Sequence, residues 1–203
     1  MTLSLRIRPG GRSARVQEAV HAAACELIDL HGRDSLTVPL IAARAGVTPS
    51  TIYRRWGDLA ELLADVSVQR LRPDAEPANT GSVNGDLLAW AEQFHEEMSS
   101  EVGLAMIRDV LATGQFGSGS GASQCSAFTA SQVELMLARG RARGEVAPDV
   151  DAVMDGFVAP LMYRLLFGPT PATAAQAAAW ITACQVRSVA AMRESSARAD
   201  QSL

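Results

Sequence analysis

"AARAGVTPSTIYRRW", residues 42–56, combines a lone glycine, a Thr-Pro pair and a close-set group of hydroxyls, arginines and aromatics. Gly46 allows the left-handed backbone that a sharp turn between helices requires. Just beyond it, Thr48 suits an N-cap and Pro49 the first helical position, where a missing N–H is harmless. The same pattern stands upstream: Thr37 predicts another N-cap, with Pro39 in the first turn, so a short helix ends near Ala45. Two short helices joined by a Gly-containing turn of about three or four residues make a helix-turn-helix.

The spacing inside the unit is more specific than the helix count. Ala42, Gly46 and Ile52 stand at relative positions 0, +4 and +10. They place a small residue where the helices cross, a glycine at the turn, and an apolar residue that docks the second helix onto the first. Ile41, Ala45 and Val47 fill the remaining core positions. A helical hairpin in an unrelated all-α protein also needs a Gly and an Ala; the spacing favours the DNA-reading form of the motif.

Outward from this unit, helix signals dominate. In "SARVQEAVHAAACELIDLHG", residues 13–32, Val16, Ala19, Val20, Ala23, Ala24, Leu27 and Ile28 form one apolar face, with Ser13 as the expected N-cap and Gly32 as the stop. "DLAELLADVSVQRL" predicts a longer helix from Asp58 to about Arg72, ended by the Pro-, Asn- and Gly-rich "RPDAEPANTGS". Amphipathic segments follow from Asp86 onward, interrupted by a mobile "GSGSGAS" loop, and Pro160 is expected to bend one of them. Alternating β-branched runs are absent, so the fold class is all-α.

The 203 residues are 48% hydrophobic and 20% charged, the balance of a globular chain. No apolar run reaches the roughly 18 to 20 residues that span a bilayer, and the N-terminus lacks a secretion signal's apolar core, so no membrane partner and a cytoplasmic location are expected. Cys25, Cys125 and Cys184 are scattered, which predicts neither a disulfide framework nor a metal site, and no cofactor is expected. Residues 1–60 carry eight arginines against five acids, a net of +3, whereas the remainder carries ten against seventeen, a net of −7. A basic end on an acidic body suits a module that meets a polyanion at one end. Lysine is absent altogether, which reflects a GC-rich genome more than function.

From about Arg12 to Leu63, through "HGRDSLTV" and "IAARAGVTPSTIYRRWGDLAELL", the chain resembles the tetracycline-repressor (TetR/AcrR) family of bacterial transcription regulators. Downstream, "NTGSVNGDLLAWAEQF" and "VAPLMYRLLFG" resemble the regulatory domain of an actinobacterial-type subgroup. The resemblance implies a flexible arm over 1–11, a three-helix helix-turn-helix DNA-binding domain over 12–58, a helical effector-binding and dimerisation domain over 59–195, and a flexible tail over 196–203. It also implies a homodimer that binds double-stranded DNA at a pseudo-palindromic operator and answers to a small-molecule effector. Its DNA contacts carry over to Thr37 and to Thr48, Ser50, Thr51, Tyr53 and Arg54. Many members have Lys after the glycine that follows the aromatic; here Gly57 precedes Asp58, so a phosphate-anchoring cation is missing and Arg54 or Arg55 is expected to replace it.

The residue types suit that task. A helix N-terminus attracts phosphate, and the hydroxyls of Thr48, Ser50 and Thr51 beside Pro49 add short donors there. Tyr53 can meet a phosphate or a thymine methyl, and Arg54 can pair bidentately with guanine. Arg55 is expected on phosphate, as are Arg44, Arg12 and Arg15, whose alternative is a solvated surface. Trp56 is expected to pack in the core.

For the effector, the bulky side chains of the middle helices are the candidates: Trp90, Phe94, Met98, Met106, Phe116, Phe128, Met136, Met162, Tyr163 and Phe167. Most of them must simply be core, and packing comes before ligand contact as the reading of each. Met and aromatic lining suits an apolar or aromatic ligand, while Glu92, Glu96, Glu97, Glu101 and Asp109 leave room for a cation. The Ala-rich segments over 150–168 and 174–192 are the expected dimer helices, with Ala178, Ala179, Ala183 and Ala190 permitting close approach. No enzyme is expected: His21, His31 and His95 are isolated, His21 and Cys25 share a helix face without a third group, and "GSGSG" lacks the strand and Lys of a phosphate loop. The alternative to a regulator is a helical dimer that binds a protein partner or sequesters a small molecule, with a degenerate DNA module.

Overall fold

A computed structural model of the chain describes residues 11–200, and every regular element among them is helical. The expected arm over 1–11 lies outside the described residues except for Gly11, and so do 201–203 of the expected tail. Helix α1 spans Arg12–His31 and a 3-10 turn spans Arg33–Ser35. Next come α2 (Val38–Ala45), α3 (Pro49–Trp56) and α4 (Leu59–Leu71). Beyond the extended segment 72–82 lie α5 (Val83–Ser99), α6 (Glu101–Ala112) and α7 (Gly121–Ala142). Last are α8 (Val150–Val153), a π-helical turn (Met154–Val158), α9 (Ala159–Phe167) and α10 (Ala174–Asp200). The backbone of α10 continues through 196–200, where a tail is expected from sequence.

Local chemistry sets the boundaries of α2 and α3. Thr37 accepts the Leu40 N–H at the start of α2, and Gly46 ends it in the left-handed region at φ 67° and ψ 31°, where a side chain would be strained. Thr48 stands at the N-cap of α3, but its hydroxyl meets that of Thr51 at 3.0 Å instead of capping a backbone N–H. Ser13 is not the cap of α1. The helix starts one residue earlier, behind Gly11, and Ser13 turns its hydroxyl to Arg55.

Two cores result. Val20, Ala24 and Leu27 of α1, Ile41 and Ala42 of α2, Ile52 and Trp56 of α3, and Leu62, Leu63 and Val66 of α4 form the N-terminal one. It therefore extends past the expected boundary at residue 58, because α4 closes the three-helix unit before continuing along α6. The second core joins α5, α7, the π turn, α9 and α10 around Leu87, Trp90, Met136, Phe157, Leu161 and Ile181. Pro160 lacks the N–H that the Gly156 carbonyl would receive in an α-helix. Its strain is absorbed just before it, where Ala159 donates to Met154 across a π turn.

Candidate nucleic-acid interface and effector chamber

Helix α3 has two unlike faces. Ile52 and Trp56 are buried, while Pro49, Ser50, Tyr53, Arg54 and the capping Thr48 are exposed; Thr51 is half-buried. The helix is thus held by an Ile-Trp stripe at four-residue spacing, and Tyr53 stands 49% exposed on the open side. Thr37 is also exposed, at the start of α2.

The arginines are less alike than their sequence suggests. Arg54 is exposed and has no hydrogen bond or ion pair among the described residues. Arg55 instead reaches back to α1, donating to the Ser13 hydroxyl at 2.7 Å, the Ser13 carbonyl at 3.1 Å and Gln17 Oε1 at 2.5 Å, and it lies over the Trp56 ring at 5.1 Å. Arg44 forms a two-pronged ion pair with Glu26 of α1. Two of the four cations expected on phosphate, Arg44 and Arg55, thus hold α1 against the helix-turn-helix. Arg15 is exposed, and the Arg12 side chain lies outside the described residues.

Trp56 packs in the core as expected, and its Nε1–H donates to Asp65 Oδ2 at 2.7 Å. That carboxylate also receives Gln17 Nε2 at 3.1 Å and meets His21 Nε2 at 2.9 Å. The hydrogen bond from His21 holds the Asp65 carboxyl below its ordinary range against partial burial, with Trp56 and Arg55 adding to the effect. Asp58, where the resemblance leads one to expect Lys, is the N-cap of α4 and accepts the Glu61 N–H at 2.9 Å. The missing phosphate cation is a helix cap instead.

A cavity of about 230 Å³ opens among α4, α5, α6, α7, the π turn and α9. Of the ten sequence candidates, Phe94, Met98 and Met162 line it. Trp90 and Met106 join Phe94 and Met98 around an adjoining, wider space of about 480 Å³ beneath the 72–77 segment. Phe128 lies in a shallow groove with the Arg72 guanidinium 5.7 Å over its ring, and Met136 is fully buried core. Phe116, Tyr163 and Phe167 are 72%, 65% and 71% exposed and line neither space. Sequence reading missed Leu71, Ile107, Val110, Met154 and Val158. The four-residue spacing of Met154, Val158 and Met162 was a usable signal, since it marks one helix face.

None of the five acids lines the smaller cavity. Glu92, Glu96, Glu97 and Glu101 are exposed, and of these Glu97 alone reaches the wider space. Asp109 is buried on α6, facing Arg33 and Ser67 of the N-terminal unit. No group of three or more His, Cys, Asp or Glu among the described residues could hold a metal ion, and no helix among them is long and apolar enough to cross a membrane.

Comparison with known proteins agrees with this layout. Residues 21–66 match the family described as bacterial regulatory proteins, tetR family, and residues 77–184 match the tetracyclin repressor-like C-terminal domain. An uncharacterized HTH-type transcriptional regulator of Mycobacterium tuberculosis H37Rv is 38% identical over 90 residues, covering 44% of each chain, so the match spans less than half of that relative's length. The HTH-type regulator YdeS of Bacillus subtilis is 28% identical over 168 residues, covering 80% of this chain and 83% of its own. Among solved structures, the TetR family transcription regulator SCO0332 superposes with a TM-score of 0.61 at 26% identity, over 83% of this chain and 95% of that one. With more than half of its length inside one of the two matching domains, the chain belongs to the tetracycline-repressor family of bacterial regulatory proteins.

Proposed function

We propose that the protein is a dimeric DNA-binding transcriptional regulator, a repressor released from a pseudo-palindromic operator when a small molecule enters the chamber between α4 and α9. One observation carries this reading: α3 is anchored by Ile52 and Trp56 and leaves Thr48, Ser50, Tyr53 and Arg54 exposed on its other side. Tyr53 and Arg54 would meet phosphate and base edge, and the Thr and Ser hydroxyls would seat the helix N-terminus on the backbone. A second copy would dock on α9 and α10, where Tyr163, Phe167 and Val186 are exposed beside Ala178, Ala179 and Ala183. Two recognition helices would then serve half-sites about 34 Å apart. Release would run through α6, whose Ile107, Val110 and Leu111 line the chamber while Asp109 grips Arg33.

A second reading, a partner-binding helical dimer with a degenerate DNA module, is favoured by the internal engagement of Arg44 and Arg55. Selection of duplexes from fragmented genomic DNA at near-physiological salt separates the two. The regulator recovers a pseudo-palindrome that Tyr53→Ala no longer binds tightly; weak, salt-labile binding that Tyr53→Ala leaves unchanged supports the second reading.

A further inference from the structure

The inner chamber and the wider space beside it share four lining residues: Leu71, Phe94, Met98 and Thr129. They are two rooms with one waist, and the rooms differ in chemistry. The inner one contains no charged side chain; its polar lining is confined to Cys125, Ser126 and Thr129. At about 30 Å³ per water, its 230 Å³ corresponds to roughly eight water volumes. The outer one is bounded by the amides of Gln93 and Gln132 and by side chains of both signs, Arg70, Arg72, Asp74, Glu76 and Glu97. Glu76 is paired with Arg139, and Gln93 donates to Glu97. No single sign of charge dominates this lining.

Thr129 is the polar side chain that lines both rooms. Its Oγ1–H donates to the Cys125 carbonyl at 3.1 Å, a bond within α7, so the hydroxyl turns lone pairs and no hydrogen toward the cavity. Trp90 Nε1–H, in the outer room, is committed to Gln132 Oε1 at 3.1 Å. A ligand at the waist is thus asked to supply a donor. A carboxylate has none, and an ammonium would bring its charge against Leu71, Phe94 and Met98 with no carboxylate in the inner room to meet it.

We infer that the ligand is a neutral amphipathic alcohol or phenol, its apolar body in the inner room, its hydroxyl donating to Thr129 at the waist, and any further polar portion in the outer room. This builds on the regulator reading only in calling the ligand an effector; the binding event is independent of DNA.

The test is calorimetric titration of the full chain with 1-octanol, methyl octyl ether, octanoate and octylammonium, repeated on Thr129→Val and Thr129→Ser. Octanol should bind about five- to tenfold more tightly than the ether and more tightly than either ion. Thr129→Val, of the same shape but without the acceptor, should erase the alcohol-over-ether preference, and Thr129→Ser should keep it. The inference is overturned if the ether equals the alcohol, if either ion binds best, if no member binds to the folded protein, or if Thr129→Val keeps the preference. Operator binding, measured separately, distinguishes this failure from that of the regulator reading.

Discussion

Arg33, in the turn after α1, donates its Nε–H to Oδ1 of the buried Asp109 on α6 at 2.6 Å, and a second guanidinium N–H meets the same oxygen. Ser67 of α4 donates to the other carboxylate oxygen at 3.3 Å. The helix-turn-helix unit is therefore tied to the chamber wall by one charge-assisted clasp, because Ile107 and Val110 flank Asp109 on α6. Arg33→Ala would leave Asp109 buried without its counter-ion. Since Arg33 is itself 41% exposed, solvent screening reduces the loss to about 1–3 kcal/mol. Urea unfolding should show that loss, and adding Asp109→Asn to Arg33→Ala should recover part of it; independent, additive losses would show that the pair is not coupled.

The Asp65 hub predicts an acid-side dependence. His21, Trp56 and Gln17 bond its carboxylate, and Arg55 adds a favourable charge, so its folded pKa lies below the unfolded value near 3.8. A depressed carboxylate stabilises the fold above the unfolded pKa, and that contribution disappears as pH falls through the folded value. Wild-type protein should therefore lose stability steeply below about pH 4. Asp65→Asn should be less stable at neutral pH and show a flatter acid limb in urea midpoints at pH 6, 4 and 3. Parallel curves for the two proteins would remove Asp65 from the acid response.

Arg54 and Arg55 are adjacent and should fail differently. Arg54→Ala removes an exposed side chain that has no partner among the described residues, so the melting temperature should stay put while discrimination at one operator base pair falls by about 1–3 kcal/mol. Arg55→Ala breaks the contacts to Ser13 and Gln17, so it should lower the melting temperature and weaken binding to all sequences alike. Competition binding on a panel of single-base operator variants, alongside thermal melts, checks both; matching profiles would contradict the separation.

What the sequence made legible was local. Gly46, Thr48-Pro49 and the 0, +4, +10 spacing specify their turn and helices through short-range sterics and caps, and the structure follows them. Trp56 was placed in the core by the same logic. Ser13 was misread because a tertiary partner, Arg55, takes the hydroxyl that a local rule assigns to a cap. Asp109 was read with its exposed neighbours because charge spacing along α6 says nothing about which helix packs over it. Tyr163 and Phe167, 5.6 Å apart on one face of α9, show the same limit: periodicity identifies an apolar face, not whether this chain covers it.

The π turn offers a final test of how the chamber is shaped. Gly156 lies in that turn, and a Cβ built on it would fall 2.5 Å from Cys184 Sγ and 2.7 Å from an Arg187 nitrogen of α10. Arg187 can swing away, but Cys184 is fully buried on a short side chain and cannot. Gly156→Ala should therefore push the turn off α10, lowering stability by about 1–3 kcal/mol. Met154 and Val158, in the same turn, line the chamber, so ligand affinity should fall with stability. Cys184→Ala in the same chain relieves the nearest contact and should restore part of both losses. Thermal melts and titrations of the single and double variants measure this; a Gly156→Ala protein with unchanged melting temperature and affinity would show that α10 does not fix the π turn.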